Sequence, residues 1–403
     1  MKILYVNDFD VRGGAEVFVH QLASYMESRG HEVYFAFGDT KGGDRRFKIN
    51  RSEGKLIRER TVYWNVIDPL VYQQMKNIIR SVKPDIIHLN NLMLLTLAPL
   101  IAAKELQLPR VMSVHDYWPV CPRRSLLKPH DEVCAENNWS TCFHCAGVSH
   151  PSRLVKLVAT HCSALANKLF ERKMKECCRI LKDEVLICPS RFVRDVLIRF
   201  GYGQRDSHVI PYGIETNLFR PSSNFTDTLL WVGRITPLKG LEYFVKAADV
   251  VRVKHPSAQF VVIGQHATDG MYRYKKVPMS NAIEFIGELP REKLVEYYSN
   301  SLALVITSVW PEPFGIVALE AMACGKPVIA FESGGLNDII INGKTGFLIK
   351  PKDHSAITNK IMTLLRDKKL AIEIGRDARD LVERNYTIER MCANYEKIYA
   401  VLH

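Results

Sequence analysis

The sequence predicts an α/β protein of two domains, each a doubly wound parallel sheet covered by helices, and three observations carry that expectation. Short runs of Val, Ile and Leu alternate with longer stretches of helical periodicity, the pattern of strands buried on both faces between crossover helices. The pattern breaks at PYGIETNLFRPSSN, which has neither periodicity and is rich in turn residues, and then restarts. With 403 residues the chain has the length of two ordinary domains.

In the first half the apolar runs are KILYVN, EVYFAF, DIIHLN, RVMSVH and VLICPS, with helices expected near residues 15–29, 96–106 and 190–200. In the second half they are TLLWVG, QFVVIG, AIEFIG, LALVIT and PVIAF, with helices expected near 241–254, 291–300, 316–323 and 355–365. A last helical stretch, 388–402, is placed to cross back onto the first domain. The expected division is residues 1–206 with a cysteine-containing insert at about 117–150, residues 207–386, and the crossover helix 387–403. Two such Rossmann-like domains facing each other leave a cleft at the carboxyl ends of both sheets, where such folds bind ligands.

Apolar residues make up 47% of the chain and charged residues 24%, values that exclude a disordered or fibrous protein. The longest apolar runs, such as LMLLTLAPLIAA, are shorter than the ~20 residues of a membrane span. MKILYVNDFD reads as a first strand rather than a signal peptide, so a cytoplasmic protein with reduced cysteines is expected. Of the net charge of +12, +9 falls in residues 1–206, which points to an anionic partner or to an ordinary solvated basic surface.

Three stretches carry chemistry. The first strand leads into RGGAE, where Gly13 and Gly14 open a helix whose backbone N–H groups can approach an anion. TLLWVGRITPLKG brings Gly233, Arg234 and Lys239 to a sheet's carboxyl edge, where two cations suit a diphosphate. In SVWPEPFGIVALEAMACGKPV, Pro311 and Pro313 stiffen the loop that presents Glu312. Phe314, Gly315 and Ile316 then start a helix whose positive end can face a phosphate, and Glu320 is placed on that helix to accept from ribose hydroxyls. Read structurally, the same residues are a glycine turn, surface cations and exposed glutamates.

RGGAE, GRITPLKG, EPFGIVALE and ACGKPVIA followed by SGGLNDII resemble the retaining GT-B glycosyltransferases of glycosyltransferase family 4, the glycosyl transferases group 1. The resemblance covers nearly the whole chain. It implies a UDP- or GDP-linked sugar donor bound mainly by the second domain, and a carbohydrate or lipid-linked hydroxyl acceptor bound by the first. It implies Arg234 and Lys239 on the diphosphate, Glu312 on the transferred sugar, Glu320 on the ribose and Gly14 near the leaving phosphate. His115, in SVHDYWPVCP, matches the family's histidine beside the donor sugar, and Glu312 and His115 are the expected catalytic pair. Asp338 stands where SGGxxE is commoner. The implied reaction is metal-free transfer with retention by front-face attack, in cell-surface polysaccharide or glycolipid synthesis. A nucleotide-sugar 2-epimerase on the same fold stays open as an alternative. So does a non-enzymatic nucleic-acid-binding protein suggested by the charge, although no RNP motif or recognition helix supports it.

Two further features lie outside the resemblance. Residues 151–182 hold eight Lys or Arg and two Glu, interleaved with apolar residues such as Leu157, Leu165, Leu169 and Phe170, a basic amphipathic surface suited to anionic lipid or to solvent. Cys121, Cys134, Cys142 and Cys145 have the C-x12-C-x7-C-x2-C spacing of a structural zinc site. Free thiols, a regulatory disulfide, and His130 or His144 in place of a cysteine are the alternatives.

Overall fold

Lys2–Asn7 is the first strand, β1, and around it the chain builds a sheet in which every pairing is parallel. The computed structural model describes residues 1–10, 13–52, 65–129, 132–135, 139–148, 150, 153–222, 226–267, 274 and 276–403. The other strands of this sheet are β2 (Glu32–Phe37), β3 (Arg46–Lys48), β4 (Ile86–Leu89), β5 (Arg110–Ser113), β6 (Leu186–Cys188) and β7 (Ser207–Val209). Their order is β3-β2-β1-β4-β5-β6-β7. The chain thus winds outward from β1 in one direction and then from β4 in the other, which is the doubly wound pattern. The helices Gly14–Ser28, Pro69–Val82, Ala98–Glu105, Ser163–Leu181 and Arg191–Arg199 supply the crossovers.

The second sheet contains β8 (Thr228–Val232), β9 (Gln259–Ile263), β10 (Ile283–Gly287), β11 (Ala303–Ile306), β12 (Val328–Phe331) and β13 (Gly346–Ile349). Its order is β10-β9-β8-β11-β12-β13, again all parallel. Its helices are Leu241–Lys254, Arg291–Asn300, Ile316–Ala323, His354–Arg366 and Lys368–Asn385, with a short turn of helix at Leu336–Ile339. The chain divides into two compact units: Met1–Pro129 with Cys134–Pro211 and Met391–His403, and Tyr212–Arg390. Among the described residues no helix is long and apolar enough to cross a membrane.

Where the structure adds elements, local chemistry explains them. The helix Pro69–Val82 is capped by Asp68, whose carboxylate accepts from the Leu70 and Val71 N–H groups, and Pro69 at its first position needs no donor. It buries Val71, Met75, Ile78, Ile79 and Val82 along one stripe. Asp367 caps Lys368–Asn385 in the same way. The helix expected from residue 96 begins at Ala98, because Thr96 turns to φ 60° and its Oγ1 accepts from the Ala98 and Asp68 N–H groups. The additional strands β3, β7 and β13 are three or four residues long, too short for periodicity to reveal.

The last helix, Ile388–Leu402, places Tyr395 and Tyr399 in the core of the first unit. His88, fully buried in β4, pairs through Nδ1 with the Tyr399 hydroxyl and through Nε2 with Ser113 Oγ at 2.7 Å. Ser113 Oγ also meets the Tyr395 hydroxyl at 3.0 Å. These groups satisfy one another out of water, so the helix is tied by polar as well as apolar contact. Tyr399→Ala is expected to cost the first unit about 3–5 kcal/mol, the range for losing a large buried ring. Tyr399→Phe, which removes only the hydroxyl, should cost about 1 kcal/mol. Urea unfolding of the two variants measures both.

Candidate functional site

The order of the second sheet reverses between β8 and β11, and open α/β sheets bind ligands at such a reversal, beyond the carboxyl ends of the strands. The loops leaving β8 and β11 carry Gly233, Arg234, Lys239 and Glu312, so the structure brings the expected donor residues of this unit to one edge. Arg234 is exposed. Lys239 closes the 3-10 turn Pro237–Lys239, and its carbonyl accepts from Thr307 Oγ1 at 3.0 Å, which in turn accepts from Trp231 Nε1 at 3.1 Å. A strand indole and a strand-end hydroxyl thus fix the height of the lysine loop.

Lys239 Nζ lies 2.5 Å from Glu312 Oε1 and 5.6 Å from the centre of the Trp310 ring. The same Oε1 accepts from Trp310 Nε1 at 3.0 Å and from Ser308 Oγ. Among the described residues Oε2 takes no hydrogen bond, so the buried carboxylate keeps one oxygen for a ligand hydroxyl. The loop Ser333–Gly335 holds the backbone beneath it. Ser333 Oγ donates to the Trp310 carbonyl and accepts from Glu312 N at 3.3 Å, and Gly335 N donates to Glu312 O at 2.7 Å. A Cβ at Gly334, φ 56°, would stand 2.3 Å from Glu312 O. Ser308, Trp310 and Ser333 were not singled out from sequence; a serine at a strand end and one in SGG were the available signals.

Gly315 has φ 105° and opens the helix Ile316–Ala323, and a Cβ there would lie 2.4 Å from Leu336 Cδ2. No other residue fits that turn, so the start of the helix stays bare and can approach a ligand. Ile316 is half-buried at its first position. The Phe314 ring, by contrast, is packed between Tyr212 and Tyr386 at 5.1 and 6.3 Å, and serves the core of the unit. Glu320 is buried, and Tyr298 donates to its Oε2 at 2.8 Å. Burial pushes its carboxyl above the ordinary range, opposed by that hydroxyl and by Arg291.

The first sheet reverses between β1 and β4, and its polar edge is built there. Asn7 accepts from Asn91 N at 2.9 Å and donates to Glu16 Oε1 at 3.3 Å, tying β1, the loop after β4 and the helix that starts at Gly14. His115 follows β5, donates from Nε2 to Asn90 Oδ1 at 3.0 Å, and lies with its ring centre 5.0 Å from that of Phe18 on the same helix. Gly14 and His115 therefore share this edge. Burial lowers the His115 pKa to about 4, so the ring is neutral near pH 7. Asp8 accepts from the Leu94 and Leu95 N–H groups, and burial outweighs them to raise its pKa to about 7. Asn90 and Asp8 carried no sequence signal beyond their positions at strand ends.

In the insert Tyr117, Val120, Leu126, Leu127, Trp139 and Phe143 are all buried. None of its four cysteines is joined in a disulfide, and Cys142 and Cys145 lie on the short helix Cys142–Gly147. The backbone N–H groups of Arg123, Ser125 and Leu126 point at the Cys121 sulfur, yet burial still raises that thiol's pKa, with Cys134 adding to the rise. Among the described residues no three His, Cys, Asp or Glu side chains are placed to hold a metal ion, so the closed four-thiolate site is not formed by this arrangement. His130 lies outside the described residues, and His144 Nδ1 is engaged by the Ala159 carbonyl at 2.9 Å.

The model for Glycosyltransferase Family 4 matches residues 12–218, and the model for Glycosyl transferases group 1 matches residues 218–381. The chain belongs to glycosyltransferase family 4. The glycogen synthase of Mycobacterium tuberculosis is 27% identical to it over 224 residues, 54% of each chain. The D-inositol 3-phosphate glycosyltransferase of Acidothermus cellulolyticus is 31% identical over 192 residues, 42% of each. This family 4 chain spans about half the length of these two relatives. In fold it matches the solved structure of Anabaena HepE in complex with UDP-glucose, with a TM-score of 0.70 at 18% identity over 100% of both chains. The two parallel sheets with flanking helices are the GT-B architecture.

Two outcomes follow for this family 4 chain. The folded pKa of His115 lies below the ordinary value of about 6.5, so its share of stability is complete above pH 6.5 and is lost as the pH falls through about 4. An NMR titration should show the His115 ring neutral at pH 6 and protonating near pH 4; a midpoint above 6 would contradict the buried setting. Gly315→Ala should cost about 2 kcal/mol or more, through the positive φ and the Leu336 contact together. Thermal unfolding and nucleotide binding of that variant should both suffer.

Proposed function

We propose that the chain transfers a sugar from a nucleoside diphosphate sugar, UDP- or GDP-linked, to a hydroxyl acceptor with retention at the anomeric carbon. The observation that carries this reading is the pair Lys239 and Glu312 at the reversal of the second sheet, a cation for a diphosphate beside a carboxylate with one open oxygen. Arg234, Lys239 and the bare helix start after Gly315 supply positive potential for the leaving diphosphate, so the proposed chemistry calls on no metal. Gly233, Phe314 and Ile316 contribute through the backbone of the same loops. Glu320 accepts from the ribose through the oxygen that Tyr298 leaves open.

In the free protein Glu312 neutralises Lys239. A diphosphate draws the lysine away and leaves the carboxylate to accept from hydroxyls of the transferred sugar. The three donors on Oε1 hold Glu312 as a hydrogen-bond acceptor rather than as a nucleophile. Retention then comes from front-face attack, with the departing phosphate taking the acceptor's proton. On the first unit, the neutral His115 and the helix start at Gly14 are assigned to the sugar and its leaving group. The UDP-glucose held by the Anabaena structure makes UDP the first nucleotide to test.

We assign the chain to the cytoplasm, where its ten cysteines would stay reduced. The acceptor is placed among precursors of cell-surface polysaccharide or glycolipid.

Calorimetric titration with UDP and GDP tests the central reading. Arg234→Ala and Lys239→Ala should each weaken the nucleotide that binds by at least about tenfold, or about 1.4 kcal/mol. Glu312→Gln should keep the nucleotide affinity and lower turnover by about 100-fold or more, the scale for losing a key donor or acceptor in the transition state. Unchanged affinity in both cation variants would remove the reading. Sugar product formed equally well without acceptor would replace transfer by epimerisation.

A further inference from the structure

Behind Glu320, a line of side chains runs from the carboxylate to the segment by which the chain enters the second unit at Tyr212. Tyr298, fully buried, donates to Glu320 Oε2 at 2.8 Å. About two turns earlier on the same helix, Arg291–Asn300, Arg291 lies on the same face. Its guanidinium pairs with Glu215, and its Cζ stands 5.0 Å from the centre of the Phe219 ring, which is 6.2 Å from that of Tyr298. Arg379 holds the same segment from the helix Lys368–Asn385. It donates to the carbonyls of Thr216 and Phe219 and to that of Ala323, the last residue of the helix that carries Glu320. Residues 215–219 are thus fixed between two arginines, and the Arg291 side leads back to Glu320.

Charge runs along the same line. Burial pushes the Glu320 carboxyl up, and the Tyr298 hydroxyl and the Arg291 charge pull it back. Burial also keeps the Tyr298 phenol neutral and pushes the Cys324 thiol up to about 12, so neither carries charge near pH 7. The strands packed against this helix, β11 and β12, bring no titratable side chain. Arg379 is paired with Glu383, and Arg379 and Lys326 bear on Cys324. A carboxylate that must accept from ribose hydroxyls is therefore supported by one phenol and one guanidinium on a single helix face.

We propose that Arg291 is a positioning residue of the donor site, which aims Glu320 at the ribose through Phe219 and Tyr298 while holding Glu215 of the entering segment. It acts without touching the nucleotide. The proposal rests on the assignment of Glu320 to the ribose.

Calorimetric titration of the full chain with UDP or GDP, whichever binds, and with the 2′,3′-dideoxy form of that nucleotide tests the proposal at about pH 7.5 and about pH 5.5. The unaltered chain should prefer the full ribose by at least about tenfold, the scale of a hydrogen bond to a charged group. Arg291→Gln removes a cation, so Glu320 takes up its proton at a higher pH. The affinity of that variant relative to the unaltered chain should therefore be lower at the acid pH, by at least about threefold, than at the alkaline one. The dideoxy form offers Glu320 no hydroxyl and should bind both proteins equally at either pH. Arg291→Lys should restore the pH profile, and adding Arg291→Gln to Glu320→Gln should cost nothing further. An equal loss of both nucleotides, or a loss that does not change with pH, would overturn the proposal and leave Arg291 as a support of the fold alone. If the unaltered chain does not distinguish the two riboses, Glu320 is not the ribose acceptor and the proposal falls with that assignment. If neither UDP nor GDP binds the unaltered chain, the donor reading itself is what fails.

Discussion

The loop Ser333–Gly335, pressed through the Ser333 hydroxyl and the Gly335 N–H onto the carbonyls of Trp310 and Glu312, is the contact on which the carboxyl edge of the second unit depends. Gly335 N reaches Glu312 O at 2.7 Å, and the lack of a side chain at Gly334 lets the strands of loop come that close. Everything else on that edge is hung from it. The Glu312 carboxylate can face Lys239, Ser308 and Trp310 at once because its main chain has no freedom left. Gly315 then turns the chain into the helix Ile316–Ala323 at the only φ that clears Leu336. The entropy of ordering these side chains is thus met by the fold before any ligand arrives.

A second consequence concerns charge. Lys239 and Glu312 neutralise each other in the free protein, so neither is buried as an isolated ion. In the proposed reaction an incoming diphosphate would exchange one partner of the lysine for another instead of meeting a bare cation, and the exchange would expose the carboxylate only when the donor is present.

The first unit solves a different problem, that of keeping polar groups dry. His88, Ser113, Tyr395 and Tyr399 close a buried network around the sheet, while Asn90 turns His115 toward the carboxyl edge. Neutral imidazoles there cost less to bury than charged ones, and burial itself enforces neutrality.

The sequence by itself determined the two parallel sheets, because strands buried on both faces must be apolar runs and crossover helices must be amphipathic. It also placed Arg234, Lys239, Glu312 and Gly315 at strand ends and a helix start, because short-range geometry, a strand end followed by a glycine or a Pro-Glu-Pro loop, is written in neighbouring residues. Tertiary structure alone decided that Phe314 is a core ring, that Glu320 leans on Tyr298, and that Ser308, Trp310 and Ser333 complete the Glu312 site. The partners in these cases lie from 21 to 102 residues apart or sit on side chains with several possible directions, and no local period or spacing encodes which of them will meet.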